Sequence, residues 1–184
     1  MCAEIRKVLE YDSSNNSLKL AAVSALEVLA ERFPSNSSAF VVCLESIITR
    51  CNTSHNSAVT SSCLRTSAAL IKVLGPKALS KLDQIMALIK SSKDLEPKAN
   101  NVSPASNAPH LVSVLVTLEA VVDKLGGFLT KDLKNIMELL VLRPEYVSGI
   151  DAKVESRAHG LRKLLAEKIP VRLSKNKYCL MVVL

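Results

Sequence analysis

The stretch LDQIMALIK at residues 82–90 returns fifty-one positions later as LKNIMELLV at 133–141. Leu82 falls on Leu133, Ile85 on Ile136 and Met86 on Met137. The match extends upstream, where CLRTSAALIKVLG (63–75) lies over VLVTLEAVVDKLG (114–126). A whole helix–turn–helix therefore recurs. A step of 41 relates this unit to the one before it: Leu29 falls on Leu70, Phe33 on Leu74, Val41 on Leu82, Leu44 on Ile85 and Ile48 on Ile89. The shorter step sets the basal period. An insertion, the Pro/Asn/Ser-rich segment 93–108, accounts for the longer one.

Paired helices at a period of about 40–47 residues are the pattern of HEAT and armadillo arrays. One helical hairpin cannot bury both of its apolar stripes. Stacked neighbours give each stripe a partner, and a continuous core then runs along the array. The expected fold is all-α, an α-solenoid of HEAT/armadillo-like hairpins. Its expected units are 17–51, 57–92, 109–143 and an incomplete 151–173, with a flexible loop at 93–108 and an atypical tail at 174–184. The rival is a compact six- or seven-helix bundle.

Local patterns agree with helices. Residues 18–33 place Leu18, Ala22, Ala25, Leu26, Leu29 and Phe33 on one face, and Pro34 stops the run. Residues 39–50 do the same with Phe40, Val41, Leu44, Ile47 and Ile48. Residues 58–74 read as helical although Ser and Thr weaken the propensity. Gly75-Pro76 closes that helix and opens 78–91, striped by Leu79, Leu82, Ile85, Met86 and Ile89. Helices follow at 110–125, 129–142 and 151–168, with Gly126-Gly127 as a C-cap and turn. The last carries Val154, Ala158, Leu161 and Leu165 on one face. Hydrophobic residues make up 48% of the chain but aromatics only 3%. Aliphatic side chains must fill the interior, which suits helix packing better than a β-sandwich.

The residues offer little catalytic chemistry. Cys2, Cys43, Cys51, Cys63 and Cys179 form no disulfide framework, and reduced thiols in a nuclear or cytosolic protein are expected. The spacing of Cys43, Cys51, His55 and Cys63 does not match the short hooks of structural zinc. His55, His110 and His159 stand without a hydrolase motif. No metal, cofactor or small-molecule substrate is expected, and no apolar run is long enough to span a membrane.

Charge is the one site-like feature. The net charge is +7, and between 153 and 177 the cations Lys153, Arg157, Arg162, Lys163, Lys168, Arg172, Lys175 and Lys177 face only Glu155 and Glu167. Such a cluster suits RNA phosphates or an acidic partner. With Tyr178 the only aromatic nearby, backbone contact is expected in place of base reading. A solvated helix face with a Lys-rich tail is the plain alternative.

The segments LRTSAALIKVLGPKALSKLDQIMALI, LGGFLTKDLKNIMELLVLRPEY and LRKLLAEKIPVRL resemble a known family across residues 17–173. It is the HEAT-repeat U3 small nucleolar RNA-associated family of the small-subunit processome, in a plant-like version. The resemblance implies a noncatalytic scaffold of the nucleus and nucleolus acting in ribosome biogenesis and pre-rRNA processing. Its implied partners are other processome proteins and the backbone of U3 small nucleolar RNA or pre-rRNA. Family members are very long, so this chain is expected to be a fragment or truncated form. The alternative is a generic armadillo-like protein-interaction adaptor unrelated to RNA; a small helical enzyme is the third.

Overall fold

Asn15, Asn36, Asn56 and Asp151 stand at the starts of four of the described helices, and Gly75 stands at the end of one. The structure is a computed structural model that describes residues 1–11, 15–91, 108–142, 146 and 151–169. Among the described residues every regular element is helical. In chain order these are α1 (Cys2–Glu10), α2 (Asn16–Arg32), α3 (Ser37–Thr53), α4 (Ser57–Leu74), α5 (Leu82–Ser91), α6 (Ala108–Leu125), α7 (Leu133–Leu142) and α8 (Ala152–Lys168). The Asn15 side chain accepts the Leu18 N–H, Asn56 accepts that of Val59, and Asp151 accepts those of Lys153 and Val154. Each satisfies donors that a helix start leaves without partners.

Two short 3-10 helices, Gly75–Lys81 and Gly126–Phe128, sit ahead of α5 and α7. They explain why α5 begins at Leu82 and α7 at Leu133, later than the apolar spacing suggests. Gly75 has φ of 53°, a left-handed conformation that favours glycine. Gly126 occupies the matching place in the fifty-one-residue shift for another reason. A Cβ there would stand 3.2 Å from the Lys168 Cβ, so its bareness lets the end of α8 approach the end of α6.

The helices touch in series. α4 lies between α2 and α6, and α6 lies between α4 and α8. α1 rests on α2 and α3, and α3 reaches on to α4 and α5. Ion pairs tie the second set: Lys81 Nζ meets Glu45 Oε2 at 2.8 Å, and Lys131 Nζ meets Asp83 Oδ1 at 3.1 Å. One apolar cluster runs through all of it, from Ile5 and Leu9 of α1 to Leu161 and Leu165 of α8.

Small side chains make the series close. α4 buries Thr60, Ser61, Ser62, Thr66 and Ser67 beside Val59, Cys63, Leu64, Leu70 and Ile71. The Thr66 hydroxyl donates to the Val23 carbonyl of α2 at 3.4 Å. Thr117 of α6 donates to the Leu64 carbonyl of α4 at 2.8 Å. Thr117 follows Thr66 by the longer repeat step, and Leu64 follows Val23 by the shorter. The same contact therefore recurs from α4 to α2 and from α6 to α4.

Two points differ from the sequence reading. Residues 2–10 lie ahead of the expected units, yet Cys2, Ile5 and Leu9 line α1 at helical spacing, with Ile5 and Leu9 buried. The face of α2 is rotated. It buries Lys19, Ala22, Val23, Leu26 and Ala30 toward α1 and α4, whereas Leu18, Ala25 and Phe33 are exposed. Phe33 is the residue capping the end of α2, past its last turn. By contrast, the stripe expected on α8 is the one buried, and Leu44, Ile48, Ile85 and Ile89 are all in the core. The expected loop at 93–108 lies outside the described residues save Ala108, and so does the expected tail.

Replacing Thr117 with Val should lower stability by about 1 kcal/mol, read in denaturant titration, because a buried hydrogen bond is lost at constant shape. Gly75→Ala should cost about 1 kcal/mol through its positive φ. Gly126→Ala should cost at least as much through the close contact with α8.

Candidate nucleic-acid interface

The cation cluster begins on α8, whose Asp151 cap and buried Val154, Ala158, Leu161 and Leu165 fix which way its charges point. Lys153, Arg157 and Lys163 are exposed. Arg172, Lys175 and Lys177 lie outside the described residues.

Several of these charges already have partners within the protein. Arg157 Nη1 meets Glu119 Oε2 of α6 at 3.0 Å. One turn along α6, Asp123 Oδ1 receives Lys168 Nζ at 3.2 Å, and its other oxygen receives Lys124 at 3.0 Å. The hydrogen bond from Lys124, then that from Lys168, holds the Asp123 carboxyl below the usual carboxylate range. Its depressed value sets a sign. The stabilisation is complete above the unfolded carboxylate range and is lost as pH falls through the lower folded value. These pairs are partly solvated, so each contributes little.

Arg162 is a different case. Its Nη2 donates to the Leu140 carbonyl at 2.7 Å and to the Tyr146 carbonyl at 3.2 Å. The guanidinium clasps the C-terminal end of α7, where helix carbonyls lack partners and the dipole is negative. Tyr146 itself is fully buried. Arg50 on α3 does the same for α1: its Nε donates to the Leu9 carbonyl at 2.7 Å and Nη2 to the Tyr11 carbonyl at 3.2 Å. Neither role was legible in the sequence, since each depends on which helix end a tertiary neighbour presents.

The α8 surface also borders a shallow cleft against α6, lined by Glu119, Ser156, Arg157, Gly160, Lys163 and Glu167 among others. Its charges are mixed. It offers phosphate-binding cations only alongside carboxylates.

The thiols considered as zinc ligands or nucleophiles sit in apolar surroundings. Burial, the largest cause in each case, pushes Cys43 up to about 11 and Cys63 up to about 12, and raises Cys51 as well. Cys51 Sγ donates to the Thr60 carbonyl at 3.6 Å. His55 is exposed, and among the described residues no group of three or more His, Cys, Asp or Glu is placed to hold a metal ion. His110 is buried on α6, with Nδ1 3.4 Å from the Ser61 hydroxyl of α4. Among the described residues no helix is long and apolar enough to cross a membrane.

The described residues define an all-α chain with serial helix contacts and a partly neutralised basic helix. In the comparison with curated proteins, the chain is similar to one described as "Uncharacterized protein At3g06530" from Arabidopsis thaliana. Identity is 49% over 179 residues, which is 95% of this chain but 8% of that protein. The chain thus spans a small fraction of the relative it matches. No protein-family model matches, and no solved structure matches. The resemblance to the HEAT-repeat U3 small nucleolar RNA-associated family is corrected on this ground. The relative found bears no HEAT or processome description, so that assignment is withdrawn.

Arg162→Ala should destabilise the fold by about 1–3 kcal/mol by leaving partly buried carbonyls without their donor. Lys163→Ala should stay within about 0.5 kcal/mol. Alkylation of the folded protein at neutral pH should spare Cys43, Cys51 and Cys63 and proceed on denaturation, followed by peptide mass spectrometry.

Proposed function

We propose that this chain is a noncatalytic α-solenoid segment, a scaffold piece that holds other proteins and touches RNA through backbone phosphates. We place its work in ribosome biogenesis, in the nucleolus, at the stage of pre-rRNA processing. The observation carrying the scaffold reading is the recurrent hydroxyl-to-carbonyl contact, Thr66 to Val23 and Thr117 to Leu64, at repeat-related positions. A bundle about one axis would bring the first and last helices together. Here the extensive contacts of α2 are with α1 and α4, and those of α8 are with α6 and its 3-10 turn. An array of this kind presents a long surface, and affinity is spread over many contacts. The net charge of +7 supports an anionic partner, and that charge is what favours an RNA-rich setting.

A second reading is an armadillo-like adaptor for protein ligands alone. The pairing of Arg157 with Glu119 and of Lys168 with Asp123 favours it, because those cations are partly neutralised within the fold.

The two readings separate by experiment. If RNA is bound, affinity for a structureless single strand should fall with a log–log salt slope of about 0.7 per phosphate neutralised. Charge reversal at Lys153 and Lys163, both exposed and away from the carbonyl clasp of Arg162, should weaken it further. A tagged chain should concentrate in the nucleolus and recover pre-ribosomal RNA. Salt-independent binding, or recovery of cytoplasmic proteins without RNA, would select the adaptor.

A further inference from the structure

α3 holds the C-terminal end of α1 by hydrogen bonds. Arg50 Nε donates to the Leu9 carbonyl at 2.7 Å and the Ser46 hydroxyl to Glu10 Oε1 at 3.0 Å. Two cysteines meet at the other end. Cys43 Sγ donates to the Cys2 carbonyl at 3.9 Å, and the two thiols hydrogen bond with each other. The Cys43–Cys2 and Arg50–Leu9 contacts share one offset of 41 residues. α1 and α3 therefore run side by side in the same direction. The packing that seats Leu9 and Arg50 also fixes Cys2 against Cys43.

The two thiols differ in access. Cys2 is partly exposed, whereas Cys43 is 2% exposed in the core. Burial, and then the charge and hydrogen bond of Cys2, keep the Cys43 thiol protonated; Arg6, one turn along α1, acts in the opposite sense. An oxidant dissolved in water thus reaches Cys2 first, and Cys43 stands protected behind it. Thiols are oxidised where they are accessible, and a neighbouring thiol resolves the product as a disulfide. Cys51 and Cys63 offer no such division, because both are buried.

We propose that Cys2 and Cys43 form an oxidation site, at which a peroxide closes a disulfide that staples α1 to α3.

The reaction balances with hydrogen peroxide. Cys2 Sγ attacks one peroxide oxygen and the O–O bond breaks, giving the sulfenic acid and one water. Cys43 Sγ then attacks the Cys2 sulfur. The S–S bond forms, the S–O bond breaks, and the hydroxyl leaves with the Cys43 proton as a second water. The thiols lose two electrons in all and the peroxide gains them. The new bond ties together residues 41 apart, which restricts the unfolded chain and secures α1 at both ends.

Peroxide treatment of the full chain, carrying Cys179→Ser, tests this. Trypsin places Cys2 in peptide 1–6, Cys43 in 33–50, and Cys51 with Cys63 in 51–65. Mass spectrometry without reductant should find 1–6 joined to 33–50 within one chain, and dithiothreitol should part them. The oxidised protein should melt at least about 4 °C higher than the reduced one. Cys43→Ala should strand Cys2 as the sulfenic acid, trapped by dimedone on peptide 1–6, and abolish the shift in Tm. Cys2→Ser, at a partly exposed position that leaves the core intact, should shield Cys43 from peroxide and abolish the shift as well. Peptides 1–6 and 33–50 left unjoined overturn the proposal, as does a link from Cys2 to peptide 51–65 or to a second chain. A joined pair without a rise in Tm overturns the staple, and so does a rise that survives Cys2→Ser.

Discussion

The fold depends on α4 being narrow enough to be enclosed on two sides. A helix with long side chains all round holds its neighbours apart. α4 instead buries a ring of Ser, Thr, Ala and Cys, and α2 and α6 close on it from either side. Burying hydroxyls is costly unless they find acceptors. Here Thr66 finds the Val23 carbonyl and Thr60 the Asn56 carbonyl, while Thr117 reaches in from α6 to Leu64 and also bonds Ser113 within its own helix. The residues that lower helix propensity in isolation are the ones that permit the packing, so tertiary contact outweighs propensity at this helix.

Charge works at a second level. The excess cations of α8 are not simply a displayed surface. Arg157 and Lys168 join α8 to the acidic side of α6, and Arg162 joins it to the end of α7. Such contacts orient helices more than they stabilise them, since solvated pairs contribute little and the carbonyl clasp contributes more. A basic stretch in a sequence therefore overstates the charge available to a partner, and Lys153 and Lys163 are the described cations of the cluster outside these contacts.

What was legible in the sequence follows from periodicity. Leu44 with Ile85, and Ile48 with Ile89, are related by the 41-residue step and are all buried. The α8 stripe could be read from spacing because its opposite face is charged. The α2 stripe could not, because Leu18, Ala25 and Phe33 make a second apolar face beside Val23 and Ala30, and spacing alone does not say which face has a neighbour. Nor do letters reveal physics: Gly75 and Gly126 align in the repeat, yet one serves a left-handed turn and the other a close helix contact. Roles set by distant partners, such as those of Arg50 and Arg162, have no local signal at all.

The acceptors in the recurring threonine contacts are main-chain carbonyls, which every residue type supplies. A copied unit could therefore seat itself on its parent without matched changes in both. Side chains at the receiving position can differ, as those of Val23 and Leu64 do, while the contact stays the same. Helices joined in this way can hold one geometry under sequences that share few letters.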